Sequence, residues 1–191
     1  MKLVLASSSP FRKALLNKLQ LNFECDSPNI DEAVEAGESI ENMVKRLSES
    51  KARALANSHP DALIIGSDQS ASLNEQVLHK PGNFENAFKQ LKAASGQTIT
   101  FYTGLCLLNT QTQQAETVCE PYTVKLRSLN DSEIEHYLNR DKPFNCAGSF
   151  KSEALGISLF ESMQGDDPNT LIGLPLIQLC RMLKNQGMPV I

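Results

Sequence analysis

An α/β fold built on a mixed sheet is predicted for these 191 residues by three features of the chain. Short apolar runs at 2–6 and 62–66 alternate with stretches of helical periodicity, the order of elements expected for helices packed on a sheet. A Ser-Ser-Ser-Pro turn converts the first run directly into a helix. Two long strand-like segments, 97–108 and 115–126, neighbour one another through Asn109–Gln114.

Taken in order, residues 2–6 read as a buried strand. Ser9 is a good N-cap, and Pro10 fits the first helical position, where its missing N–H is of no consequence. Phe11, Leu15 and Leu19 follow at four-residue spacing and give that helix an apolar stripe. The unpaired first-turn N–H groups of such a strand–turn–helix are how anion sites are built. Phe23-Glu24-Cys25 reads as a second strand leading to Asp31-Glu32 in a polar loop. A helix runs from Ser39 to about Asn57, with Ile40, Met43, Val44, Leu47, Ala54 and Leu55 inside a sector of about 120°. Lys51 is the only charge in that sector, so it either snorkels from the core edge or reaches into a pocket that needs a cation. Ala62–Ile65 is a buried strand. Leu73–Val77 reads as a hairpin, and His79-Lys80-Pro81-Gly82 as a turn. Residues 84–94 form a helix with Phe84, Ala87, Phe88 and Leu91 on one face, and Asn130 or Asp131 starts another through Ile134, Tyr137 and Leu138. Gly148–Glu153 is a polar extended piece with Lys151 and Glu153 on one face by period-two alternation. Gly165–Thr170 is a loop before a helix at about 175–185. No composition break divides the chain, so one domain over 1–191 is expected.

The composition excludes several classes. A net charge of −4 argues against a surface for nucleic acid polymers, though not against a small basic pocket. No run approaches the ~20 apolar residues of a membrane span, and the N-terminus enters a strand too soon for a signal peptide. No membrane association and a cytoplasmic location are therefore expected. The five cysteines show no CxxC spacing and read as buried reduced thiols. The three histidines are scattered without metal-ligand spacing.

Chemistry is first suspected at Asp68, which closes the apolar run Ala62–Gln69. Ligands of open α/β sheets bind beyond the carboxyl ends of such strands, and a carboxylate there needs a cation, a metal or a proton donor. The alternative is a turn Asp making a local backbone bond. Other turns display charge beside small residues: Ser7–Arg12, Asp31-Glu32, Lys80-Pro81 and Lys151–Glu153. With Lys51 the set holds four bases (Arg12, Lys51, Lys80, Lys151) and three acids (Glu32, Asp68, Glu153). A triphosphate needs several cations, and its divalent metal prefers carboxylate oxygens. No GxxxxGK[ST], GxSxG, HExxH or GxGxxG pattern is present.

Together these segments resemble the Maf family of nucleoside triphosphate pyrophosphatases, most closely its YceF-like subgroup. The likeness covers nearly the whole chain: Leu5–Lys13, Asp31-Glu32, Ser50-Lys51-Ala52, Ile65–Gln69, Lys80-Pro81, Ser95-Gly96, Tyr102-Thr103-Gly104, Cys146–Glu153 and Gly173-Leu174-Pro175. The resemblance implies a bent mixed β-sheet flanked by helices, similar to the inosine triphosphate pyrophosphatases, with an active-site cleft between two lobes. It implies hydrolysis of a nucleoside triphosphate to monophosphate and pyrophosphate with a divalent cation, Mg²⁺ or Mn²⁺, in a chain that could pair as a homodimer. It implies Asp68 as proton acceptor, with Ser7, Arg12, Glu32, Lys51 and Lys80 at the phosphate and metal end, Glu32 and Asp68 holding the metal. Lys151 joins them as a further substrate cation. Phe11, Gln69 and Glu153 fall at positions that sort substrates, and an aromatic, Gln and Glu there are associated with 7-methyl-GTP.

Rival readings are a dTTP/UTP enzyme of the same family, a nucleotide-binding regulator of septum formation without turnover, and a thiol hydrolase using Cys146 and His136.

Overall fold

The computed structural model describes residues Met1–Ile191. Seven strands form one sheet: β1 (Lys2–Ala6), β2 (Glu24–Asp26), β3 (Ala62–Leu73), β4 (Gln76–Leu78), β5 (Thr98–Asn109), β6 (Gln114–Leu126) and β7 (Phe160–Gln164). They hydrogen-bond in the order β2-β1-β3-β5-β6-β7, with β4 beside β3. β1 runs parallel to β2 and β3, whereas β4 and β7 pair antiparallel with β3 and β6, so the sheet is mixed. Six helices accompany it: α1 (Pro10–Asn17), α2 (Ile40–Ala54), α3 (Phe84–Ala94), α4 (Asp131–Asp141), α5 (Pro168–Ile172) and α6 (Leu176–Asn185). No helix is long and apolar enough to cross a membrane. The chain divides into two compact units, passing between them within β3, β5 and β6 and again between Asp166 and Asp167.

The first unit comprises Met1–Gln69, Tyr102–Glu120 and Asp167–Ile191. Strand alternation builds its two cores. Leu3, Leu5, Leu63, Ile65, Leu105 and Leu107 point to one face and meet α1 and α6 through Leu15, Leu16, Leu179 and Met182. Val4, Ala6, Ala62, Ile64, Cys106 and Leu108 point to the other and meet Ala52 of α2 and its C-cap residue Leu55. Both faces are covered, which is why these strands read as continuous apolar runs. Each such Leu or Ile contributes about 1.5–3 kcal/mol by leaving water. Two glycines set how closely α2 lies. A Cβ on Gly66 would stand 2.0 Å from the Ser48 carbonyl oxygen, and one on Gly104 2.2 Å from that of Val44. Helix and sheet backbones touch there, which only glycine permits.

The second unit comprises Ser70–Phe101 and Pro121–Asp166. An aromatic ladder fills it: Phe101 meets Phe150 at 5.5 Å and Phe150 meets Phe160 at 4.8 Å, both edge to face. Asn130 and Glu133 close a reciprocal capping box on α4, worth about 1 kcal/mol.

Most elements lie where the periodicity places them, with five departures. α1 stops at Asn17, so Leu19 packs from beyond the helix, and its buried pair is Leu15 and Leu16. Phe11 stays 40% exposed and is no core residue. Gly148–Glu153 is not extended. Gly148 and Ser149 both take positive φ, at 75° and 62°, inside a 3-10 turn, and Gly148 lies against the Phe101 ring. That turn removes the alternation expected of Lys151 and Glu153. Within the stretch read as a loop, Asp167 caps the short helix α5. β7 was not foreseen; four of its five residues are exposed, so it carries no hydrophobic alternation.

Candidate active site

The β1–α1 turn arises locally. Ser7 is buried and its hydroxyl accepts from the Ser9 N–H at 3.1 Å, while the Ser9 hydroxyl caps the helix by accepting from the Arg12 N–H at 3.4 Å. The turn delivers Arg12 half-buried on the first turn of α1, where its Nε donates to the Gly173 carbonyl at 2.9 Å. Ser67 Oγ donates to the same carbonyl at 3.0 Å. Burial pushes the Arg12 guanidinium below its ordinary value, and the charges of Asp68 and Glu32 oppose that. It stays cationic throughout the working range.

Lys51 comes from α2, one turn beyond the Ser48 contact with the sheet. It is 8% exposed. Its Nζ lies 2.6 Å from Asp68 Oδ1 and 2.8 Å from Glu32 Oε1. The side chain does not snorkel to solvent: it is buried and paired with two carboxylates. The middle of β3, a helix face and a loop thus converge on one ammonium. Glu32 is the more exposed partner, with 61% of its side chain accessible against 13% for Asp68. Its loop is strapped to α2 by Arg46, whose Nε and Nη2 each reach a Glu38 carboxylate oxygen at 2.7 Å and whose Nη2 also donates to the Ala33 carbonyl at 3.0 Å. Gln69 follows Asp68 and is anchored by its amide nitrogen to Thr103, Thr170 and Leu171. Ser7, Arg12, Glu32, Lys51, Asp68 and Gln69 belong to this first unit, as does the exposed Phe11.

Lys80, Lys151 and Glu153 belong to the second unit. Lys151 Nζ donates to the Asp141 carbonyl at 2.6 Å, and its backbone N–H to the Tyr137 hydroxyl at 3.1 Å. Tyr137 in turn donates to Asp141 Oδ2 at 2.8 Å. Burial and that carboxylate both push the Tyr137 hydroxyl upward, so it remains a donor. Lys80 and Glu153 are exposed. All three charges act on the Cys146 thiol, which burial raises above its ordinary value; Lys151 and Lys80 lower it, Glu153 and Asp141 raise it. No hydrogen bond joins Cys146 to His136 on α4, so the Cys–His pairing of a thiol hydrolase is not formed.

Three participants were given no role from the sequence, although Thr103 and Gly173 lie in segments that carry the resemblance. Thr103 and the carbonyls of Thr170 and Gly173 anchor Gln69 and Arg12. The Asp167-Pro168 pair, an N-cap followed by a first-turn proline, was the readable signal for that corner. The Asp167 carboxylate also accepts from the Ile177 N–H at 2.8 Å, tying α5 to α6.

No cluster of three His, Cys, Asp or Glu side chains is poised to hold a metal. Glu32 and Asp68 are instead two hard oxygen donors already converging on a cation. Mg²⁺ is commonly held by one or two carboxylates plus substrate phosphates and water, so the pair fits a divalent ion that arrives with a phosphorylated ligand.

Residues 2–186 match the family model described as Maf-like protein. A 7-methyl-GTP pyrophosphatase of Nitrosococcus oceani is 54% identical over 99% of this chain and 95% of its own. One of Pseudomonas fluorescens is 54% identical over 98% of each. One of Aliivibrio fischeri is 53% identical over 100% of this chain and 98% of its own. Among solved structures, the Staphylococcus aureus Ham1 protein aligns over 66% of this chain and 72% of its own, at 14% identity and a TM-score of 0.47. A family match across nearly every residue, joined by relatives more than half identical from end to end, settles the lineage: the chain belongs to the Maf family.

Proposed function

We propose that this protein is a nucleoside triphosphate pyrophosphatase that cleaves 7-methyl-GTP to 7-methyl-GMP and pyrophosphate. The observation that carries it is the Lys51 ammonium held between the Asp68 and Glu32 carboxylates at 2.6 and 2.8 Å, with Arg12 in electrostatic range of both acids. The names of the full-length relatives support the substrate.

The chemistry follows from those charges. Lys51 holds Oδ1 of Asp68 and fixes the carboxylate, so Oδ2 is the atom to take a proton. A water oxygen bonds to the α-phosphorus, its proton passes to Asp68, and the bond from the α-phosphorus to the bridging oxygen breaks. Pyrophosphate leaves with the electron pair. Arg12 and Lys51 supply fixed positive charge for the phosphates, and Ser7 a hydroxyl. Preorganised cations of this kind provide most of the rate in phosphoryl transfer. A divalent cation, when bound through Glu32 and Asp68, neutralises phosphate charge. For the base, 7-methylguanine is a cationic ring. An exposed Phe11 face attracts it by about 0.5–2 kcal/mol.

The test is a panel of 7-methyl-GTP, GTP, dTTP and UTP, with released phosphate measured with and without added inorganic pyrophosphatase. Pyrophosphate from 7-methyl-GTP in clear excess is expected. Orthophosphate as the sole direct product overturns the reaction, and a lead for dTTP or UTP overturns the substrate.

A further inference from the structure

Ser67 and Gln69 lie on one face of β3 and Asp68 on the other, by the alternation of a strand. Asp68 meets Lys51, while its two neighbours meet the end of α5. Gln69 donates to the Thr170 and Leu171 carbonyls. Ser67, fully buried, donates its hydroxyl proton to the Gly173 carbonyl at 3.0 Å. That carbonyl belongs to the C-cap residue of α5, a glycine in the left-handed region at φ 119°. The Leu174 N–H on the same peptide bond reaches the Asn169 carbonyl only at 3.3 Å, so Ser67 supplies the shorter hold. A carbonyl oxygen has a second lone pair, and this one accepts from Arg12 Nε at 2.9 Å. The Nη groups of Arg12 make no hydrogen bond within the protein. No buried side-chain nitrogen lacks a partner, so the Nη edge opens to the surface.

We propose that Ser67 is a positioning residue for phosphate binding: through the Gly173 carbonyl it holds the Arg12 guanidinium with its Nη edge free for an oxyanion. This deepens the proposed function and takes the phosphorylated ligand from it. The parallel N–H groups of that edge match two oxygens of one phosphate. An untethered arginine loses rotamer freedom when it binds, whereas one fixed beforehand loses less and binds more tightly for it. Ser67 itself touches no ligand, because it is fully buried and its proton is spent on Gly173. The tripeptide Ser67-Asp68-Gln69 thus places the carboxylate directly and the guanidinium at one remove.

The experiment is a double-mutant cycle on the binding of inorganic pyrophosphate, followed by calorimetry with Mg²⁺ present, a ligand that needs no turnover. Wild type, Ser67→Ala, Arg12→Lys and the double variant are compared. Lysine keeps a charge for the ligand but has carbon where arginine has Nε, so it cannot be tethered in the same way. Ser67→Ala is expected to weaken binding roughly fivefold when Arg12 is present and to change nothing in the Arg12→Lys background. An unchanged affinity in Ser67→Ala overturns the proposal. So does an equal loss in both backgrounds, which is what a merely structural hydroxyl would give, and so does a wild type that binds no pyrophosphate. Should Ser67→Ala not fold, Ser67→Cys, a weaker donor of similar shape, takes its place in the cycle under the same criteria. Hydrolysis of 7-methyl-GTP by the wild type is scored separately. Its absence alongside an Arg12-dependent loss in Ser67→Ala sinks the hydrolase reading and leaves this one standing.

Discussion

Lys51 occupies the one charged position of an apolar helix face because two carboxylates wait at its tip. Removing the ammonium leaves Asp68 little exposed beside Glu32 with only Arg12 to compensate it, whereas Glu32 is accessible enough for solvent to screen it. The coupling therefore belongs mainly to the Lys51–Asp68 pair. Lys51→Met is expected to cost roughly 1–3 kcal/mol in urea unfolding. The double variant with Asp68→Asn should be more stable than the sum of the singles by about 1 kcal/mol or more. Additive effects would mean that the pair is not coupled. Lys51 and Asp68 could be singled out from the sequence because each breaks a local pattern. Thr103, Thr170 and Gly173 could not. They act through hydrogen bonds to side chains distant in the chain, Gly173 lying 161 residues from Arg12 and Thr170 101 from Gln69, and a backbone carbonyl carries no sequence signature.

At the scale of elements, the loop carrying Glu32 has no regular structure and residues 31–37 are all exposed. What fastens it is the two-pronged grip of Arg46 on Glu38 and on the Ala33 carbonyl. The hydrogen bonds from Arg46 hold the Glu38 carboxyl below its ordinary value, and Glu38 in return raises Arg46. A carboxyl lowered by folding contributes its stabilisation in full above the ordinary glutamate range, near pH 4.5, and loses it as pH falls through the depressed value. Arg46→Ala should therefore speed amide hydrogen exchange over residues 31–38 several-fold at neutral pH. The difference from wild type, corrected for intrinsic exchange, should close in acid below that range. Equal exchange at neutral pH would show that the strap holds nothing. The strap is invisible to pattern reading, since Glu38 and Arg46 look like any solvated charges. Helix α2 and strands β1, β3, β5 and β6 were legible because their apolar period is sustained. The Gly148–Glu153 turn was not, because its two left-handed residues are stabilised by the Phe101 contact and by the Ser149 hydroxyl donating to Gln90 at 2.6 Å.

Across the whole molecule, a net charge of −4 supplies no general attraction for a polyanionic nucleotide, so recruitment falls to local cations and to whatever ion accompanies the phosphates. This sets the protein apart from a thiol-dependent hydrolase by its response to reagents. Desolvation raises Cys106 and Cys119 to about 11 and pushes Cys146 and Cys180 upward as well. A thiol near 11 is thiolate in only about one part in ten thousand near neutral pH. Iodoacetamide is therefore expected to modify the exposed Cys25 first, read by peptide mass mapping, and to leave most of the activity intact. A chelator is expected to abolish turnover, with recovery on adding Mg²⁺ or Mn²⁺, because only two protein carboxylates converge here and the rest of the coordination must come from substrate and water. Loss of activity in step with alkylation of Cys146, at full metal occupancy, would shift the chemistry from Asp68 to the thiol. Full activity in excess chelator would instead require the lysines and Arg12 alone to carry the phosphate charge, and the pairing of Glu32 with Asp68 would then be a matter of holding Lys51 in place.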